Sequence, residues 1–240
     1  MRLLLTIQYL GTRYAGWQTQ ANATGVQQVL EEALATLFGS PVRIHGAGRT
    51  DAGVHAAAQR AHFDPPFAIP PRGLLLGLNQ LLPHDIRVLA VDEVADDFHA
   101  RFSAVSKTYA YRMWNAEVAD VFAAETHAHV AKTLEHAAMH DAAQQLRGEH
   151  DFVLFTVADP EVSSTVRTIS QIDLARDGAA ITLTVTADGF LRYMVRRIAG
   201  SLIEIGRGKL DPARMWEEAR WTAPAKGLTL IDVSYHRHSR

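Results

Sequence analysis

One order of hydrophobic periods runs through the chain twice, and it leaves few architectures open. An apolar run over residues 2–10, with Thr6, Ile7 and Tyr9, reads as a strand. Thr24 opens a predicted helix, with Gln27 three residues on as a capping-box partner. Val26, Val29, Leu30, Ala33, Leu34, Leu37 and Phe38 mark one helical face, and Gly39 and Pro41 end it. Strands are expected over 42–45 and 54–63, the second carrying small residues at Ala56, Ala57 and Ala58 for tight packing. Pro70 and Pro71 open a second helix with Leu74, Leu75, Leu78, Leu81 and Leu82, closed by Pro83. A strand over 86–94 completes βαββαβ.

The order then recurs. A strand is predicted over 108–114, and a helix over 132–146 with Leu134, Ala138, Ala142 and Leu146 on one face. Strands over 166–174 and 181–187 form a hairpin around Asp177-Gly178, a two-residue turn sequence. The second of these alternates Ile181, Leu183 and Val185 against Thr182, Thr184 and Thr186. A helix over 190–205 carries the stripe Leu191, Met194, Val195, Ile198, Leu202 and Ile205, and a strand over 228–235 closes the chain. The predicted class is α+β: two ferredoxin-like halves, 1–105 and 106–240, with the boundary inside 98–106. Joined edge to edge, they would make a continuous, mainly antiparallel sheet of about eight strands, with helices on one face and a central cleft.

Composition narrows the chemistry. At 240 residues the chain can bury a substantial core, and 48% hydrophobic with 21% charged residues is ordinary globular usage. The absence of cysteine excludes disulfides, thiolate zinc sites, iron–sulfur clusters and a cysteine nucleophile. Residues 1–10 are too short an apolar run for a signal peptide, and no stretch approaches a membrane span, so a soluble cytoplasmic protein is expected. A net charge of −2 gives no whole-chain basic footprint. The basic residues are 20 Arg and 4 Lys. Arginine suits bidentate phosphate contacts and base stacking, although a GC-rich codon bias yields the same excess. His127-x-His129 and His136-x₃-His140 have ligand-like spacings. His136 and His140 oppose Leu134 on their helix, solvent exposure is the simpler account, and no metal is expected.

The densest unusual segment is Gly46-Ala47-Gly48-Arg49-Thr50-Asp51-Ala52-Gly53-Val54-His55-Ala56, in the connection between the second and third strands. Its glycines permit left-handed backbone and close approach of another chain or a ligand. Asp51 stands among small residues, so its carboxylate is not covered by its neighbours. The same spacing fits an Asx-type turn in which Asp51 caps its own loop. A phosphate-cradling loop fits poorly, because no Gly-Lys-Ser/Thr and no helix follow.

The string Gly48-Arg49-Thr50-Asp51-Ala52-Gly53-Val54-His55 resembles the signature of the tRNA pseudouridine synthase A family. Further segments match in order: the strand from Tyr9 with Gly16-Trp17-Gln18, Val26-Gln27, Leu78-Asn79, and Leu82-Pro83 with Asp85-Ile86. Phe98-His99-Ala100-Arg101-Phe102, Lys107-Thr108-Tyr109-Ala110-Tyr111, Met194-Val195-Arg196-Arg197 and Gly227-Leu228-Thr229-Leu230 complete the set. The resemblance implies conversion of uridine to pseudouridine at uridines 38, 39 and 40 of the tRNA anticodon arm, by a homodimer that uses no cofactor and touches no membrane.

The resemblance also implies site residues. Asp51 is the nucleophilic carboxylate, attacking either the ribose C1′ or the uracil C6. Arg196 is its cationic partner. Helical angles place Arg192 and Arg196 on one flank and Arg197 on the other, although all three also fit a solvated face. Tyr109 stacks on and contacts the target base. Period two puts Tyr109 and Tyr111 on the same strand face and cannot separate them. Arg49 helps expel the base from the stem. Arg101 touches tRNA and Leu228 packs against the base; surface charge and a core leucine account for them as simply. Leu154 stands where serine is common in the family.

Overall fold

A computed structural model describes residues 1–157 and 162–236. The protein is α+β, with four α-helices among the described residues and mostly antiparallel strand pairing. It divides into two compact units: Met1–Val105 with the C-terminal segment from Leu230, and Ser106–Thr229.

The first unit contains β1 (Arg2–Tyr9), α1 (Val26–Phe38), β2 (His45–Gly46), β3 (His55–Phe63), α2 (Pro71–Leu81) and β4 (Ile86–Val94). β1 runs antiparallel between β4 and β3, and β2 pairs with the far end of β3. Leu3, Leu5 and Ile7 of β1 are fully buried. Phe63, opposite Leu3, meets the Phe38 ring edge-on at 6.1 Å, which sets α1 on that face of the sheet. Asn79 ties α2 to β4: its Nδ2 donates to the Val88 carbonyl at 2.7 Å and its Oδ1 accepts the Val88 amide at 3.0 Å.

The predicted capping box does not form. The helix starts at Val26, behind Gly25, which supplies no side-chain cap. Its first amides, Val26 and Gln27, donate instead to the carbonyls of Gly16 and Trp17 at 3.1 and 2.9 Å. A helix start leaves such donors without intrahelical partners, and here the loop after β1 accepts them. Gln27, 5% exposed, turns inward and donates from Nε2 to Glu31 Oε1 and the Ile44 carbonyl.

The second unit contains β5 (Ala104–Trp114), β6 (Ala128–His129), α3 (His136–Gln144), β7 (Gly148–Asp151), β8 (Val166–Asp177), β9 (Ala180–Ala187) and α4 (Met194–Gly206). Its strands follow the order β5-β9-β8-β7, and β6 adds to β5 in parallel. The alternation read in β9 is its burial pattern: Ile181, Leu183 and Val185 are fully buried, while the intervening threonines are half-buried. The hairpin turn falls one residue later than expected, on Gly178-Ala179, because Asp177 still pairs with Ala180. Gly178 supplies the positive φ of 56°. α3 and α4 are both shorter than predicted. Leu134 is buried ahead of α3 and Leu191 ahead of α4, so apolar periodicity continued past the helical backbone. The last strand, β10 (Leu228–Tyr235), begins in this unit, and from Leu230 it lies beside β3 in the first.

One buried charge fixes the loop after β1. Asp85, 8% exposed, accepts the Tyr14 hydroxyl at 2.8 Å and the Arg13 guanidinium at 2.9 and 2.6 Å. Burial opposes ionisation of Asp85, but the Tyr14 and Arg13 hydrogen bonds and the Arg13 charge outweigh it and hold the carboxyl below its ordinary value. A depressed carboxyl contributes stability above its unfolded value, about pH 4, and loses it as pH falls through the folded value. Asp85→Asn is therefore expected to cost about 1.5–3 kcal/mol at pH 7. In urea unfolding the difference from the unsubstituted protein should shrink steadily below about pH 4.

Candidate active site

The Asp51 loop joins β2 to β3, and its backbone is held at most of its length. Ala47 N donates to the Arg60 carbonyl at 2.7 Å, and Gln59 Nε2 donates to the Gly48 carbonyl at 3.0 Å. Trp17 N donates to the Thr50 carbonyl at 3.1 Å, and the Thr50 hydroxyl meets the Tyr9 hydroxyl at 2.8 Å. Gly53 N reaches the Tyr14 carbonyl at 3.3 Å, and His55 Nδ1 accepts the Gly11 amide at 2.9 Å. Val54 N donates to the Asp51 carbonyl at 3.1 Å, with Gly53 at φ 77°. That is a tight turn with glycine at the position that needs positive φ. The turn closes through the backbone carbonyl of Asp51.

Side-chain volume explains three glycines around it. A Cβ on Gly16, itself at φ 92°, would lie 2.4 Å from the Thr50 carbonyl oxygen. One on Gly11 would lie 1.9 Å from the Val54 oxygen, and one on Gly46 would lie 2.6 Å from the Trp17 indole nitrogen. Residues 9–17 therefore lie against the loop at van der Waals distance, and that clamp was not legible in the motif. Tyr9 is 3% exposed, and burial pushes its hydroxyl up to about 12, so it stays a neutral partner for Thr50. Asp51 itself is half-buried, Thr50 is buried and Arg49 is exposed.

Arg101 also falls in the first unit. It is exposed, in the turn after β4, with its guanidinium 5.7 Å from the centre of the Phe102 ring. The second unit holds the remaining sequence-predicted residues. Tyr109 on β5 is 7% exposed and meets Phe190 edge-on at 5.0 Å. Tyr111 is fully buried and spends its hydroxyl on the Pro224 carbonyl at 2.9 Å. Tyr111 is therefore committed to a structural hydrogen bond. Leu228, 6% exposed, opens β10.

Arg196 lies in the first turn of α4, behind Tyr193, whose φ of 65° is the one left-handed non-glycine backbone among the described residues. Its Nε donates to the Ala223 carbonyl at 2.9 Å, and the Ala223 amide returns a bond to the Arg196 carbonyl at 3.0 Å. Arg192 and Arg196 both lie over the Tyr193 ring, at 5.1 and 5.0 Å. Arg197 turns elsewhere and donates to the carbonyls of Leu154 and Thr156 at 2.9 and 2.5 Å. It is a clamp on the 153–156 loop rather than a solvated side chain, and Leu154 contributes to that clamp through its backbone.

The histidine pairs singled out by spacing have local partners. His129 Nε2 bonds the Ala116 carbonyl at 2.8 Å, His127 Nδ1 bonds the Thr126 hydroxyl at 3.0 Å, and His136 stacks on His140 at 6.5 Å. Among the described residues no three His, Asp or Glu side chains gather in a metal-binding arrangement.

Comparison with known proteins bears on this loop and its surroundings together. The family described as "tRNA pseudouridine synthase" matches residues 5–103 and 142–236, which include the loop, its clamp and α4. A "tRNA pseudouridine synthase A" of Pelobacter propionicus is 43% identical over 239 residues, covering 96% of this chain and 98% of the relative. One of Geobacter sulfurreducens is 42% identical over 239 residues, with the same coverages. One of Myxococcus xanthus is 41% identical over 243 residues, covering 98% of this chain and 92% of the relative. With matches of that identity running nearly end to end, the chain belongs to the tRNA pseudouridine synthase family.

Proposed function

We propose that this protein isomerises uridine to pseudouridine in tRNA, at uridines 38, 39 and 40 of the anticodon arm, with Asp51 as nucleophile. The observation that carries the reading is a half-buried carboxylate on a loop whose backbone is tied down on both sides of it. A nucleophile gains most when its position is settled before substrate arrives. The reaction is balanced without an external reagent. Asp51 adds to the ribose C1′ or the uracil C6, the C1′–N1 bond breaks, and the uracil turns. A C1′–C5 bond then forms, a proton leaves C5, N1 takes one up, and Asp51 is released. No hydride, phosphoryl group or electron is exchanged, so no cofactor is required.

The two units divide the roles in this reading. The first supplies Asp51, Arg49 to help expel the base, and Arg101 on the RNA. The second supplies Tyr109 to stack on the flipped base, Leu228 to pack against it and Arg196 as the cation for the carboxylate. The fixed posture of Arg196, between Ala223 and Tyr193, supports its assignment. Among the described residues no helix is long and apolar enough to cross a membrane. A cytoplasmic homodimer, as the resemblance implies, completes the proposal.

Asp51→Asn and Asp51→Ala are expected to abolish pseudouridine formation while tRNA affinity stays within a few-fold. Mapping pseudouridine in tRNA incubated with each variant decides it, and turnover by Asp51→Ala contradicts the mechanism. Arg196→Ala is expected to lower kcat about 10²-fold, with Arg196→Lys recovering part of the loss through charge alone. Arg197→Ala, which frees the Leu154 and Thr156 carbonyls, should lower the melting temperature more than it lowers kcat.

A further inference from the structure

At the β2 end of the first unit is a cavity of about 410 Å³ to which the Asp51 loop contributes no residue. Arg2, Arg43, His45, His62, Asp64 and His99 supply its polar lining. The three imidazoles are widely separated in sequence. β2 pairing sets His45 directly opposite His62, and their rings stack at 5.1 Å. The turn after β4 brings His99 to 4.5 Å from His62.

Hydrogen bonding decides what these rings present. His62 Nδ1 accepts the Ala100 amide at 3.1 Å, and His99 Nδ1 accepts the Arg101 amide at 3.1 Å. An Nδ1 that accepts carries no proton, so each neutral ring bears its proton on Nε2 and is a donor there. Burial, followed by the charges of His99, Arg2 and His45, lowers His62 to about 4, and burial with the same kind of neighbours lowers His99. Both rings are thus neutral donors at physiological pH. Neither offers a free lone pair to a metal. The carboxylate in the lining, Asp64, is already engaged by Arg2 through two bonds of 2.9 and 2.8 Å. Arg43, 60% exposed at its side chain, pairs with Glu31 at 3.3 Å. The lining therefore offers the His62 and His99 ring donors together with the partly exposed Arg43 guanidinium, and donors of that kind suit an acceptor-rich anion.

A second observation points to the source of that anion. The His99 ring also meets Phe102 at 4.4 Å, and Phe102 is 76% exposed. An exposed aromatic face beside a donor-lined cavity is the pairing that a nucleotide uses, with base on ring and phosphate in donors. We propose that this cavity is a phosphodiester subsite for the tRNA backbone, separate from the Asp51 loop and formed by His45, His62, His99 and Arg43. The assignment rests on tRNA being the substrate.

Arg43 and His45 are exposed, so they can be changed without disturbing the fold. The test titrates the whole protein with tRNA, and separately with inorganic phosphate, while following the imidazole Cε1–H resonances. In the Arg43→Glu/His45→Glu variant the tRNA Kd should rise about tenfold and the salt slope of binding should fall by about one. Arg43→Ala/His45→Ala should show a smaller rise in the same direction. Both should raise KM and leave kcat at saturating tRNA unchanged, and Arg72→Glu, exposed on α2, should bind normally. Inorganic phosphate should shift the His45, His62 and His99 resonances saturably and spare those of His136 and His140. Unchanged tRNA affinity in both pocket variants overturns the proposal; if phosphate still binds there, the occupant is free phosphate rather than RNA. An equal loss in Arg72→Glu overturns it too, by showing general repulsion. Pseudouridine is counted in the same samples. Pocket-dependent tRNA binding without product would overturn the isomerase reading and keep the subsite, whereas product with pocket-independent binding would do the reverse.

Discussion

Gly16 can have no side chain, because the Thr50 carbonyl would lie 2.4 Å from its Cβ. Most of what positions Asp51 depends on that approach. Residues 9–17 pass over the loop so closely that they bond it from Tyr9, Tyr14 and Trp17 and leave room only for hydrogen at Gly11 and Gly16. The same stretch of backbone accepts the first amides of α1 through Gly16 and Trp17, and its Arg13 and Tyr14 are fastened to Asp85 ahead of β4. One loop thereby links a helix start, a buried carboxylate and the candidate nucleophile. Hydrogen bonds near 3 Å join all three to the same stretch of backbone.

Rigidity of this kind suits a reaction that needs no second substrate and no redox partner. When the only reagent the protein contributes is a carboxylate, catalysis rests on where that carboxylate stands and what cation accompanies it. In the second unit the same economy appears at Arg196. A left-handed Tyr193 starts α4, its ring lies under two guanidinium groups, and the Ala223 backbone fixes the arginine at Nε and at its own carbonyl.

Much of the fold was legible because hydrophobic period tracks burial. β9 shows it best, with alternate residues fully buried along the strand. Periodicity failed at helix ends. Leu134 and Leu191 are core residues outside helical backbone, and Gln27 resembled a cap but is a buried tie to Ile44 and Glu31. A capping pattern in sequence cannot reveal that a distant loop already satisfies the amides. At the site, Asp51 was legible as a carboxylate among small residues, whereas the structural commitment of Tyr111 was not. Alternation assigns a face, and only the Pro224 carbonyl shows that Tyr111 is committed. The histidine cavity was invisible for a related reason. His45, His62 and His99 have no spacing in common; β2–β3 register and the turn after β4 bring them together, while the pairs with ligand-like spacing serve local hydrogen bonds and stacking.

The central claim is that the clamp, and not merely the presence of Asp51, sets the reaction rate. Gly16→Ala tests it most directly, since it leaves every side chain of the loop in place and adds one methyl group against the Thr50 carbonyl. Single-turnover pseudouridine formation by folded Gly16→Ala protein is predicted to slow about 10²-fold, with tRNA affinity within a few-fold of the unsubstituted protein. An unchanged single-turnover rate in folded protein would contradict the account.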